Sequence, residues 1–315
     1  MRYLVTGGAG FIGSNLVEAL LERGENVVVL DDLSTGKIEN IEPLLPHEHF
    51  AFYKGTITDL ETCAAACQGV DYVLHHAALC SVPKSNEYPI EAHEINTTGT
   101  ANLFLAARDA GVKRVVWASS TSVYGNSTVL PNVETLPLYP LSPYAASKAA
   151  GEMYAHAYSE VFDLPIISLR YYNVFGKRQD PDSPYAAVIP IFIFRLLKGE
   201  QPVIFGDGEQ TRDFVHIDNV IQANIKAATQ SKPEDSGRAF NIACGKNISI
   251  NELYNIIADE LNSDIKPIYK PPWPGDVRDS IADISAARRA FGYNPAIDVR
   301  EGLKRSIEWF KQNVA

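Results

Sequence analysis

Four cysteines in 315 residues are too few for a disulfide framework. Cys63 and Cys67 lie four apart in a helix-type segment, Cys80 and Cys244 stand alone, and no neighbouring histidine or cysteine completes a zinc-ligand spacing. Reduced, packed thiols and no metal are expected. Basic charge is also short, since 28 lysines and arginines face 38 aspartates and glutamates, a formal charge of −10. Such a surface repels phosphodiester backbones, so nucleic acid is not an expected partner; a few local arginines still suffice for a small phosphorylated ligand. No apolar run approaches the ~20 residues that span a bilayer, so no membrane partner is expected. The opening Met1-Arg2-Tyr3-Leu4-Val5-Thr6-Gly7 lacks a signal-peptide layout and points to a cytoplasmic protein. Neither a G-x-S-x-G elbow nor an H-E-x-x-H helix occurs, which removes the common hydrolase readings. His75 and His76 are adjacent on a strand-type run, point to opposite faces, and do not readily share one ion.

What the chain has is an alternation. Short β-branched runs at Tyr3–Thr6, Val27–Leu30, Phe50–Tyr53, Tyr72–His75, Arg114–Ala118 and Ile166–Leu169 are separated by helix-period segments. Ile12, Leu16 and Leu20 recur every four residues as one apolar stripe. Strands apolar on both faces and alternating with helices predict an α/β fold with a parallel sheet covered on both sides. Beyond Asn173 prolines cluster and the pattern loosens into a smaller, loop-rich half closed by an amphipathic helix over Arg300–Lys311. The expected organisation is 1–173 as a Rossmann-type, doubly wound nucleotide-binding domain and 174–315 as a smaller α/β substrate domain, with part of 213–245 returning to the first.

Gly7-Gly8-Ala9-Gly10-Phe11-Ile12-Gly13 lies between the first strand and the first helix. Gly7 permits the tight turn, Gly10 lets a pyrophosphate approach the backbone, and Gly13 lets helix pack on strand. The helix N-terminus then offers free N–H groups to the anion. Asp31-Asp32 ends the second strand, 18 residues after Gly13. A carboxylate there accepts from ribose hydroxyls and repels a 2′-phosphate, which predicts NAD rather than NADP. Tyr144 and Lys148 stand four apart and project from one helix face. An ammonium and the positive ring of NAD⁺ both favour the phenolate of a tyrosine whose ordinary pKa is about 10. Ser119, Ser120 and Ser122 follow a strand at the place where such sheets present ligand-facing groups.

Together these residues resemble an extended short-chain dehydrogenase/reductase, specifically a UDP-hexose 4-epimerase, along essentially the whole chain. The resemblance is carried by the glycine loop, Asp31-Asp32-Leu33-Ser34-Thr35-Gly36, His76-Ala77-Ala78, Asn96 to Thr100, Ser119 to Gly125, Ser142 to Lys148, Leu169 to Asn173, Gly208 to Val215, Gly275 to Arg278 and Arg300 to Leu303. It implies NAD contacts from Gly7, Gly10, Phe11, Ile12, Gly13, Asp31, Asp32, Ser34, Thr35, Gly36, Thr56, Ile57, Ala77, Ala78, Cys80, Tyr144, Lys148 and Tyr172. It implies UDP-sugar contacts from Ser81, Ser120, Tyr144, Asn173, Ala187, Val188, Val203, Ile204, Phe205, Arg212, Gly275, Asp276, Val277, Arg278 and Ser280. Ser120, Tyr144 and Lys148 would be catalytic. The sugar C4 would be oxidised to a ketone, the sugar turned over, and C4 reduced from its other face, with NAD regenerated.

Relatives restricted to glucose and galactose carry tyrosine, lysine and asparagine where this chain has Ser280, Cys80 and Ala187. The small residues make room for an acetamido group and resemble the UDP-N-acetylglucosamine 4-epimerase branch. Activity on UDP-GlcNAc/UDP-GalNAc, and also on UDP-Glc/UDP-Gal, is implied. Thr56 replaces a usual aspartate at the adenine, and Trp273 a usual arginine near the diphosphate. A 4,6-dehydratase needs an Asp-Glu pair after Thr121, where Ser122-Val123 stands instead. A UDP-glucuronate 4-epimerase and a non-catalytic NAD-binding protein remain as alternatives. The segments Ala92–Ala110 and Tyr144–Phe162 read as helices too apolar to face solvent on all sides; relatives pair these helices across a dimer, which implies a homodimer.

Overall fold

The computed structural model describes residues 1–181, 187–272 and 277–313. Seven strands form the central sheet: β1 (Arg2–Thr6), β2 (Asn26–Asp31), β3 (Phe50–Lys54), β4 (Tyr72–His75), β5 (Arg114–Ser120), β6 (Ile166–Tyr171) and β7 (Ala239–Ile242). Their spatial order is β7-β6-β5-β4-β1-β2-β3, and every pairing is parallel. The order reverses between β1 and β4, so the crevice of a doubly wound sheet opens beyond the C-terminal ends of these two strands.

Parallel strands need helical crossovers, and those helices cover both faces. Along β1, Tyr3 and Val5 enter one apolar cluster while Leu4 enters another, so both faces of the strand are core. The helices of eight or more residues are α1 (Phe11–Glu22), α2 (Leu60–Cys67), α3 (Gly99–Asp109), α4 (Pro143–Phe162), α5 (Val188–Leu197), α6 (Ile217–Gln230), α7 (Ile250–Leu261) and α8 (Val299–Asn313). α1 and α6 carry Leu16, Leu20, Val220 and Ala223 to the first face. α2, α3 and α4 carry Cys63, Cys67, Leu103, Phe104 and Ala155 to the second. A third cluster (Phe175, Phe192, Ile193, Leu253, Ile257, Leu303, Ile307, Phe310) joins α5, α7 and α8.

The chain crosses between its halves more than once. Strand 173–175 pairs with 214–216, α6 then packs on the main sheet, and β7 completes its edge against β6. Two expectations need correction. β5 and β6 run past Ala118 and Leu169, because Ser119 and Ser120 pair with Arg170 and Tyr171 although they end the apolar run. The single helix expected over Ala92–Ala110 is broken: a short helix at Pro89–His93 passes through a wide π-type turn, Glu94–Thr98, before α3 begins. Asn96 in that turn is buried and its amide bonds both backbone groups of Leu79, which an unbroken surface helix would not do.

α4 begins at Ser142, whose side chain accepts from Ala145 N–H at 3.1 Å, with Pro143 at the first helical position. The helix lies close on β5 because Gly151 has no side chain: a Cβ there would stand 2.4 Å from the Trp117 ring. Gly151→Ala gains about 1 kcal/mol of helix propensity but overpacks a rigid indole at a cost of about 1–3 kcal/mol. A lowered urea midpoint is therefore expected, and an unchanged or raised midpoint would contradict the packing described.

Candidate active site

The C-terminal ends of β1, β4, β5 and β6 converge on one cleft, and each supplies a segment named from the sequence. After β1 the chain turns through Gly7, whose φ of +68° is a left-handed conformation suited to glycine. A Cβ on Gly13 would stand 2.0 Å from the Gly7 carbonyl oxygen, so α1 approaches the turn as only glycine allows. Gly10 caps α1 with no side-chain acceptor, and the first N–H groups of the helix, at Phe11 and Ile12, face the cleft's mouth. The fit to an anion is good: donors aligned with a helix dipole and no side chain in the way.

Asp31 closes the other side of this loop. Its carboxylate accepts from Ala9 N–H at 2.9 Å and Leu33 N–H at 2.8 Å, and each oxygen keeps a lone pair. Burial raises its pKa, and the two backbone donors work against that rise. Gly36 is held against it, since a Cβ there would lie 2.9 Å from Asp31 Oδ1. Asp32 accepts from Ser34 N–H at 2.8 Å, and Ser34 and Thr35 are exposed at the rim. The Thr56 hydroxyl bonds that of Thr58 at 3.0 Å, while Ile57 is buried against the sheet.

Beyond β4, His75 and His76 do part to opposite faces. His75 lies between Thr6 (2.7 Å) and Thr100 (3.1 Å); His76 meets the Tyr171 hydroxyl at 2.9 Å. No cluster able to hold a metal ion occurs among the described residues. Ala77 and Ala78 lead to Cys80, whose Sγ lies 3.5 Å from the Tyr144 hydroxyl. Ser81 uses its side chain to cap the helix Val82–Glu87, accepting from Lys84 N–H at 3.2 Å.

Ser120, Tyr144 and Lys148 come together. Ser120 ends β5 and hydrogen-bonds Tyr144. Lys148 Nζ donates to the Ala118 carbonyl at 2.7 Å and lies 5.1 Å from the Trp117 ring centroid and 5.9 Å from that of Tyr144. Burial, and then the neighbouring Cys80, raise the Tyr144 pKa well above its ordinary value, against the opposing bond from Ser120. Burial lowers Lys148 to about 8, opposed by Cys80 and Glu152. The chain alone therefore holds Tyr144 as a phenol at neutral pH, because removal from water outweighs the bond from Ser120.

Across the cleft, Asn173, Val188, Val203, Ile204, Phe205 and Arg212 line one cavity of about 290 Å³. Ala187 precedes α5 and leaves that helix N-terminus without a side-chain cap. Arg212 donates to the Thr211 carbonyl at 2.8 Å and the Arg278 carbonyl at 3.3 Å. Asp213, its neighbour, instead accepts from the N–H groups of Cys244 and Gly245. The Arg278 guanidinium is exposed and pairs with Asp207 at 2.8 Å, while Val277 and Ser280 flank the stretch that pairs with Thr211. Gly275 and Asp276, with Trp273, lie outside the described residues. Tyr172 is buried and gives its hydroxyl to Asn132 at 3.1 Å. A larger recess of about 470 Å³ between α1 and α6, lined by Tyr3, Arg23 and Lys226, lies at the wrong end of the strands for a doubly wound sheet.

Five supporting residues were given no role of their own from the sequence. Asn96 ties Leu79 to Ser147, which donates to the Tyr144 carbonyl, and Gln210 lines the cavity. Glu152 and Arg170 form a buried ion pair beneath the site. Glu152 alone had a legible signal, an acid one turn beyond Lys148 in an otherwise small and apolar stripe.

The profile of the NAD dependent epimerase/dehydratase family matches residues 3–243. A UDP-glucose 4-epimerase of Mycolicibacterium smegmatis is 41% identical over 313 residues, 99% of each chain. The structure of a UDP-N-acetylglucosamine 4-epimerase from Methanobrevibacter ruminantium M1, in complex with UDP-N-acetylmuramic acid, superposes with a TM-score of 0.94 at 42% identity over 99% of each chain. The UDP-glucose 4-epimerase of Thermus thermophilus, solved in complex with NAD, superposes with a TM-score of 0.88 at 35% identity over 100% of each chain.

A lysine lowered from 10.5 to about 8 binds fewer protons folded than unfolded between those values. The cost of burying its charge is therefore full below pH 8 and fades as pH rises toward 10.5. Cofactor-free Lys148→Met should be more stable than the parent at pH 7, by on the order of 3 kcal/mol, with the gap closing by pH ~10.5. Urea unfolding at the two pH values measures it, and a gap that widens with pH would reverse the sign.

Proposed function

We infer the reaction from the premise that this chain belongs to the NAD dependent epimerase/dehydratase family: it is an NAD-dependent UDP-sugar 4-epimerase, and its preferred pair is UDP-GlcNAc and UDP-GalNAc. The observation that carries the reaction is the meeting of the Ser120, Tyr144 and Lys148 side chains at the end of β5. When bound, NAD supplies a two-electron acceptor that takes the C4 hydrogen and gives it back. The glycine loop from Gly7 to Gly13 and the uncapped start of α1 hold its pyrophosphate, and Asp31 and Asp32 its adenosine ribose.

The chain's own groups manage the proton. Tyr144 Oη accepts the proton of the sugar 4-hydroxyl while the Ser120 hydroxyl holds the same oxygen. Burial keeps Tyr144 protonated in the chain alone, and the positive ring of the oxidised cofactor supplies the charge that favours its phenolate. Lys148, cationic below about pH 8, adds to that field and bonds the nicotinamide ribose. In the second half, the cavity from Asn173 to Arg212 holds the UDP, with the start of α5 at the diphosphate. Residues 1–173 thus serve the cofactor and 174–315 the sugar nucleotide, with 213–245 threaded through both.

For the sugar, the supporting observation is Cys80. Its thiol is 3.5 Å from the Tyr144 hydroxyl, so this small residue borders the reacting carbon rather than the far cofactor alone. With Ser280 and Ala187 it leaves room for an acetamido group. A roomy pocket rejects smaller sugars weakly, since a lost contact is worth only ~1–3 kcal/mol; conversion of UDP-Glc and UDP-Gal follows. The dehydratase reading fails at Val123, which is buried where that chemistry needs an acid.

Proton NMR of the purified protein with UDP-N-acetylglucosamine and no added NAD should show new anomeric signals of UDP-N-acetylgalactosamine. Tyr144→Phe should lower that rate at least ~10³-fold while NAD stays bound. Conversion of UDP-galactose alone would refute the pocket argument, and near-normal turnover in Tyr144→Phe would refute the mechanism.

The outer face of α4 supports a homodimer. Met153 and Val161, 58% and 69% exposed, lie on one stripe with Tyr154 and Phe162 beside them, an apolar face on a helix that a monomer would leave in water. Light scattering should give twice the 34.6 kDa chain mass, and Met153→Glu/Val161→Glu should give the single mass. A monomeric parent protein would reject the dimer.

A further inference from the structure

The proposed reaction employs two residues of one stripe on α4, Tyr144 and Lys148, and leaves a third without a role. Glu152, one turn further, is 4% exposed, as is Arg170 of β6 facing it. Arg170 donates through Nη2 to Glu152 Oε2 at 2.6 Å and through Nε to Oε1 at 2.9 Å; the Ser119 hydroxyl donates to Oε1 at 2.5 Å. The remaining Arg170 nitrogen, Nη1, donates to the Tyr124 hydroxyl at 2.7 Å and the Glu134 carbonyl at 3.1 Å. Ser119 lies between Ala118, whose carbonyl takes Lys148 Nζ, and Ser120. One carboxylate is thus bonded to the strand end that bears half of the site and rooted in the helix that bears the other half.

Stability does not account for the pair. Buried ion pairs replaced by apolar residues of similar volume often leave a protein as stable or more so. A different demand is visible next to it: a buried ammonium with no acid bonded to it. The groups that face Lys148 are Tyr144 and Glu152 from α4, Cys80 from the loop after β4, His75 and His76 from the end of β4, and Trp117 from β5. Arg170 stands behind Glu152. Burial holds both imidazoles neutral, and Cys80 is exposed to solvent, so Glu152 is the buried carboxylate of this set.

We propose that Glu152 is a positioning residue for the reaction: fixed by Arg170 and Ser119, it is the counter-charge that keeps Lys148 cationic on the Ala118 carbonyl, beside Tyr144. The inference rests on the role given to Lys148 above. Its field has the required sense, opposing the loss of the proton that burial favours. Glu152 shares the α4 stripe with Lys148 and acts on it directly, whereas Arg170 reaches the carboxylate from β6, so removing both charges weakens the support for Lys148, and removing Glu152 alone leaves an unpaired guanidinium that weakens it further.

Trp117 provides a readout independent of turnover, because the ammonium lies over its ring. In the full-length protein as purified, the pH titration of indole fluorescence should contain a step that Lys148→Met abolishes. Glu152→Gln, which keeps the shape and the hydrogen bond from Ser119, should move that step down by about 1 pH unit or more. Glu152→Gln/Arg170→Met should fall between the two. The alkaline limb of kcat should follow the same order, with KM for the UDP-sugar changed less than about threefold. Coincident titration steps in all three proteins, or a double variant shifted further than the single one, would overturn the proposal. Should Glu152→Gln not fold, the double variant, which leaves no unpaired guanidinium, must still titrate below the parent protein. A parent protein inactive on every UDP-sugar would sink the proposed reaction, while the indole titration would still decide on Glu152.

Discussion

An ammonium held out of water is the constraint on which the site depends. Lys148 is buried on a backbone carbonyl, and burial works to strip its proton. What surrounds it answers that cost in layers. The indole of Trp117 offers a π-face, the carboxylate of Glu152 offers charge, and Arg170 keeps that carboxylate from being a second liability. From Arg170 the network passes to Tyr124, then to Asn241 on β7, whose amide bonds the carbonyls of Asn132 and Asp283. The edge strand that returns from the C-terminal half is thereby joined to the catalytic helix through polar groups alone. Such a chain is costly to leave half-satisfied, so the return of 239–242 to the main sheet is part of the site's construction.

The dinucleotide end of the cleft is governed by a simpler requirement, close approach of backbone to backbone. Gly7 and Gly13 nearly touch, and the Asp31 carboxylate pins Ala9 and Leu33 on either side. Here the protein presents main-chain donors and almost no side chains, which is why its net charge of −10 is compatible with binding an anion. The field at a helix N-terminus is local, so the overall sign of the chain does not decide it.

Much of this was legible in the sequence because periodicity and glycine placement are local signals. Six strands of the parallel sheet, the glycine loop and the Tyr144–Lys148 spacing need only neighbours along the chain to be recognised. β7 was not legible as a strand of its own, since Ala239–Ile242 is a four-residue run that becomes a strand by pairing with β6. The break at Glu94–Thr98 escaped because nothing in Asn96's neighbourhood says that its amide must reach Leu79. The upward push of burial on the Tyr144 pKa was not legible, because spacing reveals the nearby ammonium but not the extent of burial. Arg212 lines the cavity, whereas Arg278 turns outward to Asp207, a partner 71 residues away in sequence that no local pattern reveals.

The two histidines after β4 carry one more consequence. His75 is wedged between threonines on one face of the sheet and His76 against Tyr171, whose hydroxyl also meets Asn224, on the other. Burial depresses both, His76 to about 3. The residue type that ordinarily titrates nearest neutrality is therefore silent at the heart of this molecule. These imidazoles behave as uncharged pegs driven through the sheet, and they add no charge of their own to the cleft floor as acidity passes through the neutral range.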